Sequence, residues 1–134
     1  MGVETYHGSC TCGAVRFRVD VDLAQGASRC NCTVCTKTSQ LGSIVKPDAF
    51  TLLTEASALS MYEREQKMSQ RYFCSTCGVQ VFGRGHLDVL GGDFVSFNVN
   101  CLDDVELNDI AVVYWDGRHN NWQAGPRPEP WPIL

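Results

Sequence analysis

The sequence predicts a single-domain, all-β protein. Three observations carry that expectation: short runs in which apolar and polar residues alternate, glycine-rich turns between them, and little helical periodicity. A chain of 134 residues fits one domain. It buries roughly two-thirds of its unfolded surface, so any metal would be an addition to a real core.

The first strand is read from Val15, Phe17, Val19 and Val21, which alternate with Arg16, Arg18, Asp20 and Asp22 in the period-2 pattern of a half-buried strand. Gln25-Gly26-Ala27-Ser28 reads as a turn. From Cys32 to Ser39 the chain reads as a turn or one short helix, with Cys32 and Cys35 facing the same way at i, i+3. Ile44-Val45-Lys46 is a short strand stopped by Pro47, followed by strands over Phe50–Leu53 and Leu59–Tyr62. The charged stretch Glu63-Arg64-Glu65-Gln66-Lys67 is an exposed hairpin loop. Gln70–Phe73 then runs into Cys74-Ser75-Thr76-Cys77-Gly78, and Val79–Phe82 follows at once, so Cys74 and Cys77 sit in a tight zinc-knuckle turn between strands. Phe94–Asn100, with Val95, Phe97 and Val99 on one side, and Ala111–Trp115 complete the set. Residues 1–124 are thus the domain. In 125–134, Pro126, Pro128, Pro130 and Pro132 alternate with Arg127, Glu129 and Trp131; this proline-rich tail cannot be helical and is expected to pack extended on the domain, anchored by Trp131.

The net charge of −4, a pI near 5.2 and the lack of any Lys/Arg run argue against a phosphate-binding surface, so nucleic acid is not an expected partner. No apolar run is long enough for a membrane span, and Met1–Tyr6 lacks the basic start and apolar region of a signal peptide. The expectation is a cytoplasmic chain. In that compartment disulfides are rare, and 8 cysteines grouped as CxC, CxCxxC and CxxC read as thiolate ligands.

If Cys10 and Cys12 combine with Cys74 and Cys77 around one tetrahedral zinc, then Cys30, Cys32 and Cys35 hold a second with room for water or a substrate sulfur. That difference separates a structural from a catalytic zinc. Cys10 and Cys12 can share an ion only if Gly13 or a local turn keeps the backbone clear. Alternatives stand beside this division. One flanking pair can belong with the triplet instead, which still leaves one site short of a ligand. His7, His86 or His119 can close the triplet, or Cys32 and Cys35 can form a redox disulfide, making the protein a thiol switch. The isolated Cys101 reads as a small buried residue.

Three stretches, Gly8-Ser9-Cys10-Thr11-Cys12-Gly13-Ala14-Val15-Arg16-Phe17, Cys30-Asn31-Cys32-Thr33-Val34-Cys35 and Arg71-Tyr72-Phe73-Cys74-Ser75-Thr76-Cys77-Gly78, together resemble the glutathione-dependent formaldehyde-activating (GFA) family, also called the centromere-protein-V/GFA family. The resemblance runs from about Thr5 to Trp115. It implies twisted antiparallel sheets of the β-tent type, a structural zinc on Cys10, Cys12, Cys74 and Cys77, and a catalytic zinc on Cys30, Cys32 and Cys35. The implied activity is that of an S-(hydroxymethyl)glutathione synthase: a small-molecule thiol, glutathione or similar, adds to formaldehyde or a related aldehyde, a reaction classed with the carbon–sulfur lyases. Thr33, Lys37 and Ser39 are then candidate donors to the developing alkoxide. Lys37, Arg71 and Arg118 are candidate cations for a substrate carboxylate, each equally readable as a solvated surface charge. The alternative of a different class is a non-catalytic zinc-binding module for a protein partner, because a fold does not fix a function. The sequence leaves the oligomeric state open.

Overall fold

The computed structural model describes residues 2–64 and 69–134. Strands β1 (Glu4–Ser9), β2 (Arg16–Val21) and β5 (Phe50–Leu52) form a three-stranded antiparallel sheet in the order β1-β2-β5. The second sheet has seven strands: β10 (Val112–Trp115), β3 (Ala27–Cys30), β4 (Gly42–Val45), β9 (Gly92–Asn98), β8 (Gln80–Leu87), β7 (Ser69–Cys74) and β6 (Leu59–Glu63), in that spatial order. One short helix, α1 (Thr33–Thr38), follows β3. The fold is mostly β in a single domain, as the alternating runs predict.

The alternation in β2 does what its pattern dictates. Phe17, Val19 and Val21 are buried while Arg16, Arg18 and Asp20 are exposed. Phe17, Val15 and Val19 meet Val81, Val95, Phe97 and Val99 in a core whose residues are fully shielded from water. A line of rings crosses between the sheets: Phe17 to Phe50 at 5.1 Å, Phe50 to Phe82 at 4.7 Å and Phe82 to Tyr72 at 4.9 Å between centroids. Each buried side chain of this size contributes about 1.5–3 kcal/mol through the area it removes from water, before the cost of ordering it.

The structure departs from the sequence reading in four places. Glu4–Ser9, to which the sequence reading assigns no element, is a strand paired along its whole length with β2. The turn expected over Gln25–Ser28 occupies Leu23–Gln25, and Ala27–Cys30 is a strand. Its residues alternate weakly, and what makes it extended is tertiary: β10 on one side, pairing Val112 with Ala27 through to Trp115 with Cys30, and β4 on the other. The β10–β3 pair is parallel, so the large sheet is mixed rather than wholly antiparallel. Finally, β9 ends at Asn98 and Val99–Cys101 forms a 3-10 turn, begun by the Asn98 side chain accepting from the Asn100 N–H.

Residues 125–134 run along β10, the edge strand. Tyr114 and Arg127 exchange backbone hydrogen bonds of 2.8 and 3.0 Å, and the Trp131 indole N–H donates to the Tyr114 carbonyl at 2.8 Å. The Arg127 guanidinium lies 3.8 Å above the Trp131 ring, a cation–π stack. An edge that would otherwise present unpaired backbone groups is thereby covered. Of the expected 63–67 hairpin loop, Glu63 is the last residue of β6 and residues 65–67 lie outside those described; β6 and β7 are antiparallel neighbours. Among the described residues, no helix is long and apolar enough to cross a membrane.

Candidate metal centres and the cleft beside them

The fold brings the four sulfurs of Cys10, Cys12, Cys74 and Cys77 within 4.8 Å of one another. Cys10 follows the last residue of β1, and the chain turns back through Cys12 so that the Cys10 N–H donates to the Val15 carbonyl at 3.0 Å. Gly13 and Gly78 adopt φ of +82° and +78°, the left-handed conformation that each knuckle needs and a side chain resists. Cys74 ends β7, and its sulfur accepts from the Thr76 and Cys77 N–H groups at 3.4 and 3.5 Å. The Val15 N–H donates to the Cys10 sulfur at 3.3 Å. Backbone amides aimed at sulfur favour thiolate, and the Cys77 thiol is pulled down to about 5, first by the Val79 N–H.

The spacing fits a tetrahedral ion. Sulfurs about 2.3 Å from a shared centre stand about 3.8 Å apart along a tetrahedron edge; Cys10 to Cys12 is 3.7 Å and Cys12 to Cys74 is 3.6 Å. Both are far beyond a disulfide bond, and every cysteine of the chain is free.

The second cluster is Cys30, Cys32 and Cys35, again with all sulfurs within 4.8 Å and each residue half-buried. Cys30 ends β3 and Cys32 caps α1, its sulfur accepting the Cys35 N–H at 3.4 Å. The Cys32 N–H in turn donates to the Cys30 sulfur at 3.5 Å. The short helix of the sequence reading is present, and it folds the triplet inward. Protons are shared unequally: Cys32 lies far below the usual thiol range because Cys30 and then Cys35 hydrogen-bond to it, whereas Cys35 is pushed up, first by its bond to Cys30. Three thiol donors within 4.8 Å of one another suit a soft cation such as zinc.

The triplet loop is clamped from behind. Because β10 runs parallel to β3, the chain leaving Trp115 passes directly beneath Asn31. The buried Asp116 carboxylate accepts from Asn31 Nδ2 at 2.8 Å and lies 2.8 Å from His119 Nδ1. Arg118 donates from its backbone N–H to Asn31 Oδ1 at 2.9 Å, from Nε to the Asn31 carbonyl at 2.8 Å and from Nη2 to Thr36 Oγ1 at 3.2 Å. Arg118, read as a candidate substrate cation, therefore positions the loop. Asn31 and Asp116 went unnoticed in the sequence; the available signal was an amide residue enclosed between two cysteines in CxC.

In front of the triplet lies a cleft of about 230 Å³ that reaches Cys30 and Cys35. Its polar side is Arg29, Asn31, Thr36, Ser39 and Gln40. Its apolar and aromatic lining is Tyr114, Trp115, Pro130, Trp131 and Ile133. Of the candidate alkoxide donors, Ser39 lines the cleft and Thr33 and Lys37 do not; Thr36 does instead. Arg71 reaches the triplet from β7, with Nη2 3.9 Å from the Cys35 sulfur. No histidine joins either cluster among the described residues. His86 pairs with Asp93 and Asp88, and His119 with Asp116. Cys101 is buried against the Gln80 carbonyl, and burial pushes its thiol up to about 12.

The family model described as glutathione-dependent formaldehyde-activating enzyme matches residues 5–117, a span that contains all seven clustered cysteines. The chain belongs to the GFA family. Among GFA relatives, a Halomonas elongata protein is 40% identical over 78 residues, which are 52% of this chain and 50% of that protein. A Penicillium rubens protein is 35% identical over 111 residues, 76% of this chain and 53% of that one. Both carry the name glutathione-dependent formaldehyde-activating enzyme provisionally, and the matched stretch spans about half of each. A crystal structure of a Rhodobacter sphaeroides protein superposes with a TM-score of 0.70 at 24% identity, covering 81% of this chain and 98% of that one. That likeness establishes the fold.

Proposed function

We propose that this GFA-family protein is a zinc-dependent enzyme of the carbon–sulfur lyase type, joining a low-molecular-weight thiol of the glutathione kind to formaldehyde or a related aldehyde. The observation that supports this reading most is the inequality of the two clusters. Four sulfurs converge in one; in the other three converge, no further His, Cys, Asp or Glu joins them among the described residues, and a cleft opens on the gap. Cys30, Cys32 and Cys35 would hold a zinc ion, which when bound would supply a Lewis-acid centre that lowers the pKa of an incoming thiol and favours its nucleophilic thiolate form. Cys10, Cys12, Cys74 and Cys77 fit the closed, structural ion.

The net reaction adds S–H across a carbonyl: one S–C bond forms, the carbonyl π pair moves to oxygen, and the thiol proton finishes there. Nothing is oxidised. The chain's own residues hold the loop and manage charge. Asn31, clamped by Asp116 and Arg118, fixes Cys30 and Cys32 relative to each other. Arg71 places a cation against Cys35. Thr36 Oγ1 accepts from Arg118, which leaves its own O–H to donate into the cleft toward a developing alkoxide, and Ser39 lines the same side. All eight cysteines being free supports a reducing compartment, and we place the protein in the cytoplasm.

The test is metal analysis of protein purified under reducing conditions, followed by titration with glutathione and with glutathione plus formaldehyde, adduct formation being read by NMR. Two zinc equivalents, thiol binding and accelerated adduct formation are expected, and Cys35→Ser should lose one equivalent and the acceleration while staying folded. Two equivalents retained in Cys35→Ser, or no acceleration by the zinc-loaded protein, would count against the reading.

A further inference from the structure

The family-matched span ends at residue 117, yet the cleft does not end there. Pro130, Trp131 and Ile133 supply one of its walls from the segment beyond. That segment is held in place at several points. Arg127 is paired to Tyr114 through both backbone hydrogen bonds, Trp131 donates to the Tyr114 carbonyl, and Asn31, the residue inside the Cys30–Cys32 pair, reaches the Pro132 carbonyl at 3.5 Å. The Arg127 guanidinium stacked on the Trp131 ring fixes that ring's plane. The wall is apolar and aromatic, and it is tied to the same loop that presents the thiols.

The polar lining includes one cation. Arg29 Nη1 donates to the Ser39 carbonyl at 3.1 Å, and among the described residues its guanidinium has no carboxylate partner. A ligand entering here therefore meets the triplet, with Arg71 beside Cys35, at one end, and the Arg29 guanidinium and flat apolar surface along the cleft. The volume of about 230 Å³ lies below the roughly 300–1,000 Å³ of pockets that enclose drug-sized ligands. Glutathione, an extended polar tripeptide with a carboxylate at each end, does not match the apolar wall in a cleft of this volume.

We infer that Trp131, with Pro130 and Ile133, is the specificity-determining wall of this site, and that it selects compact thiol monocarboxylic acids with a flat or apolar body over glutathione. This rests on the thiol–aldehyde reading above and narrows its substrate. A ring against Trp131 gains dispersion and stacking of about 0.5–1.5 kcal/mol beyond its area burial, and a carboxylate beside Arg29 gains a charge-assisted hydrogen bond.

The experiment is calorimetric titration of the two-zinc protein with 4-mercaptobenzoate, 3-mercaptopropionate and glutathione, repeated on Trp131→Ala and Ile133→Ala. Metal content is measured in each sample. The wild-type chain should bind 4-mercaptobenzoate about ten-fold more tightly than glutathione, with 3-mercaptopropionate between them, and Trp131→Ala should cut that ratio to about three-fold or less with both zinc equivalents retained. Comparing ratios between proteins cancels the differing intrinsic acidities of the thiols. Ile133→Ala, at an exposed position outside the core, should move the ratio the same way by a smaller factor and serves if the tryptophan variant does not fold. A wild-type preference for glutathione, or a ratio unchanged in both variants, overturns the wall assignment and leaves thiol binding standing. No binding of any of the three thiols by the two-zinc wild type overturns the thiol reading and this inference together.

Discussion

At Gly117 the chain passes so close to the triplet that a Cβ built there would stand 2.5 Å from the Cys30 sulfur and 2.8 Å from the Trp122 ring. The ring is half-exposed and can give way; the sulfur is held by β3 and by the Cys32 N–H, and it can move only by leaving its two partners. Gly117→Ala should therefore weaken zinc at the triplet by about ten-fold or more, in the range that displaced supporting groups typically produce, while the four-sulfur site and the melting temperature change little. Competition with a calibrated chelator reads this directly. Two equivalents of unchanged affinity would mean that Cys30 tolerates displacement and does not depend on its backing. Sequence spacing carries no hint of this constraint: Gly117 is 87 positions from Cys30 and looks like part of an ordinary Asp-Gly turn.

At the scale of elements, the parallel pairing of β3 with β10 decides where the triplet sits, because it carries Asp116 under Asn31. The Asp116 carboxyl is held below the usual carboxylate range, first by the Asn31 amide and then by His119 and Asn121, against the opposing effect of burial. Its folded pKa is depressed, so the stabilisation is complete above the unfolded value of about 3.9 and is lost as pH falls through the folded value. Comparing wild type with Asp116→Asn separates this contribution from ligand protonation common to both. The stability gap present at about pH 5 should narrow below about pH 4. A gap that widens between about pH 5 and pH 3 would show that the carboxylate does not carry the effect. Elements of this kind explain what was legible in the sequence. Strand β2 and the Cys74–Cys77 knuckle announce themselves locally, through alternation and through a turn with its own glycine. Strand β3 and the Asp116 clamp do not, because their conformations are imposed by partners far along the chain. The same holds for Arg118, where a charge that reads as free is committed to the Asn31 carbonyl.

Across the whole molecule, the two metal clusters occupy different mechanical positions. Cys10 and Cys12 leave the three-stranded sheet, whereas Cys74 and Cys77 belong to the β7–β8 turn of the large sheet, so an ion held among them would tie the sheets together. The ring line from Phe17 to Tyr72 makes a parallel connection through the core, which is why a chain of this size need not unfold entirely when the ion is lost. The Cys30–Cys32–Cys35 cluster spans only the end of β3 and the first turn of α1, and it joins no two sheets. Cys77→Ser and Cys35→Ser should thus each cost one zinc equivalent yet differ sharply in stability. Losing a cross-link worth a few kcal/mol should lower the Cys77→Ser melting temperature by roughly 10 °C or more, at about 3–6 °C per kcal/mol for a domain of this length. Cys35→Ser should stay within about 3 °C of wild type. Scanning calorimetry at matched free zinc decides it. Equal drops would mean that the triplet also supports the fold, and a stability role for both ions would remove the physical ground for treating one of them as reactive.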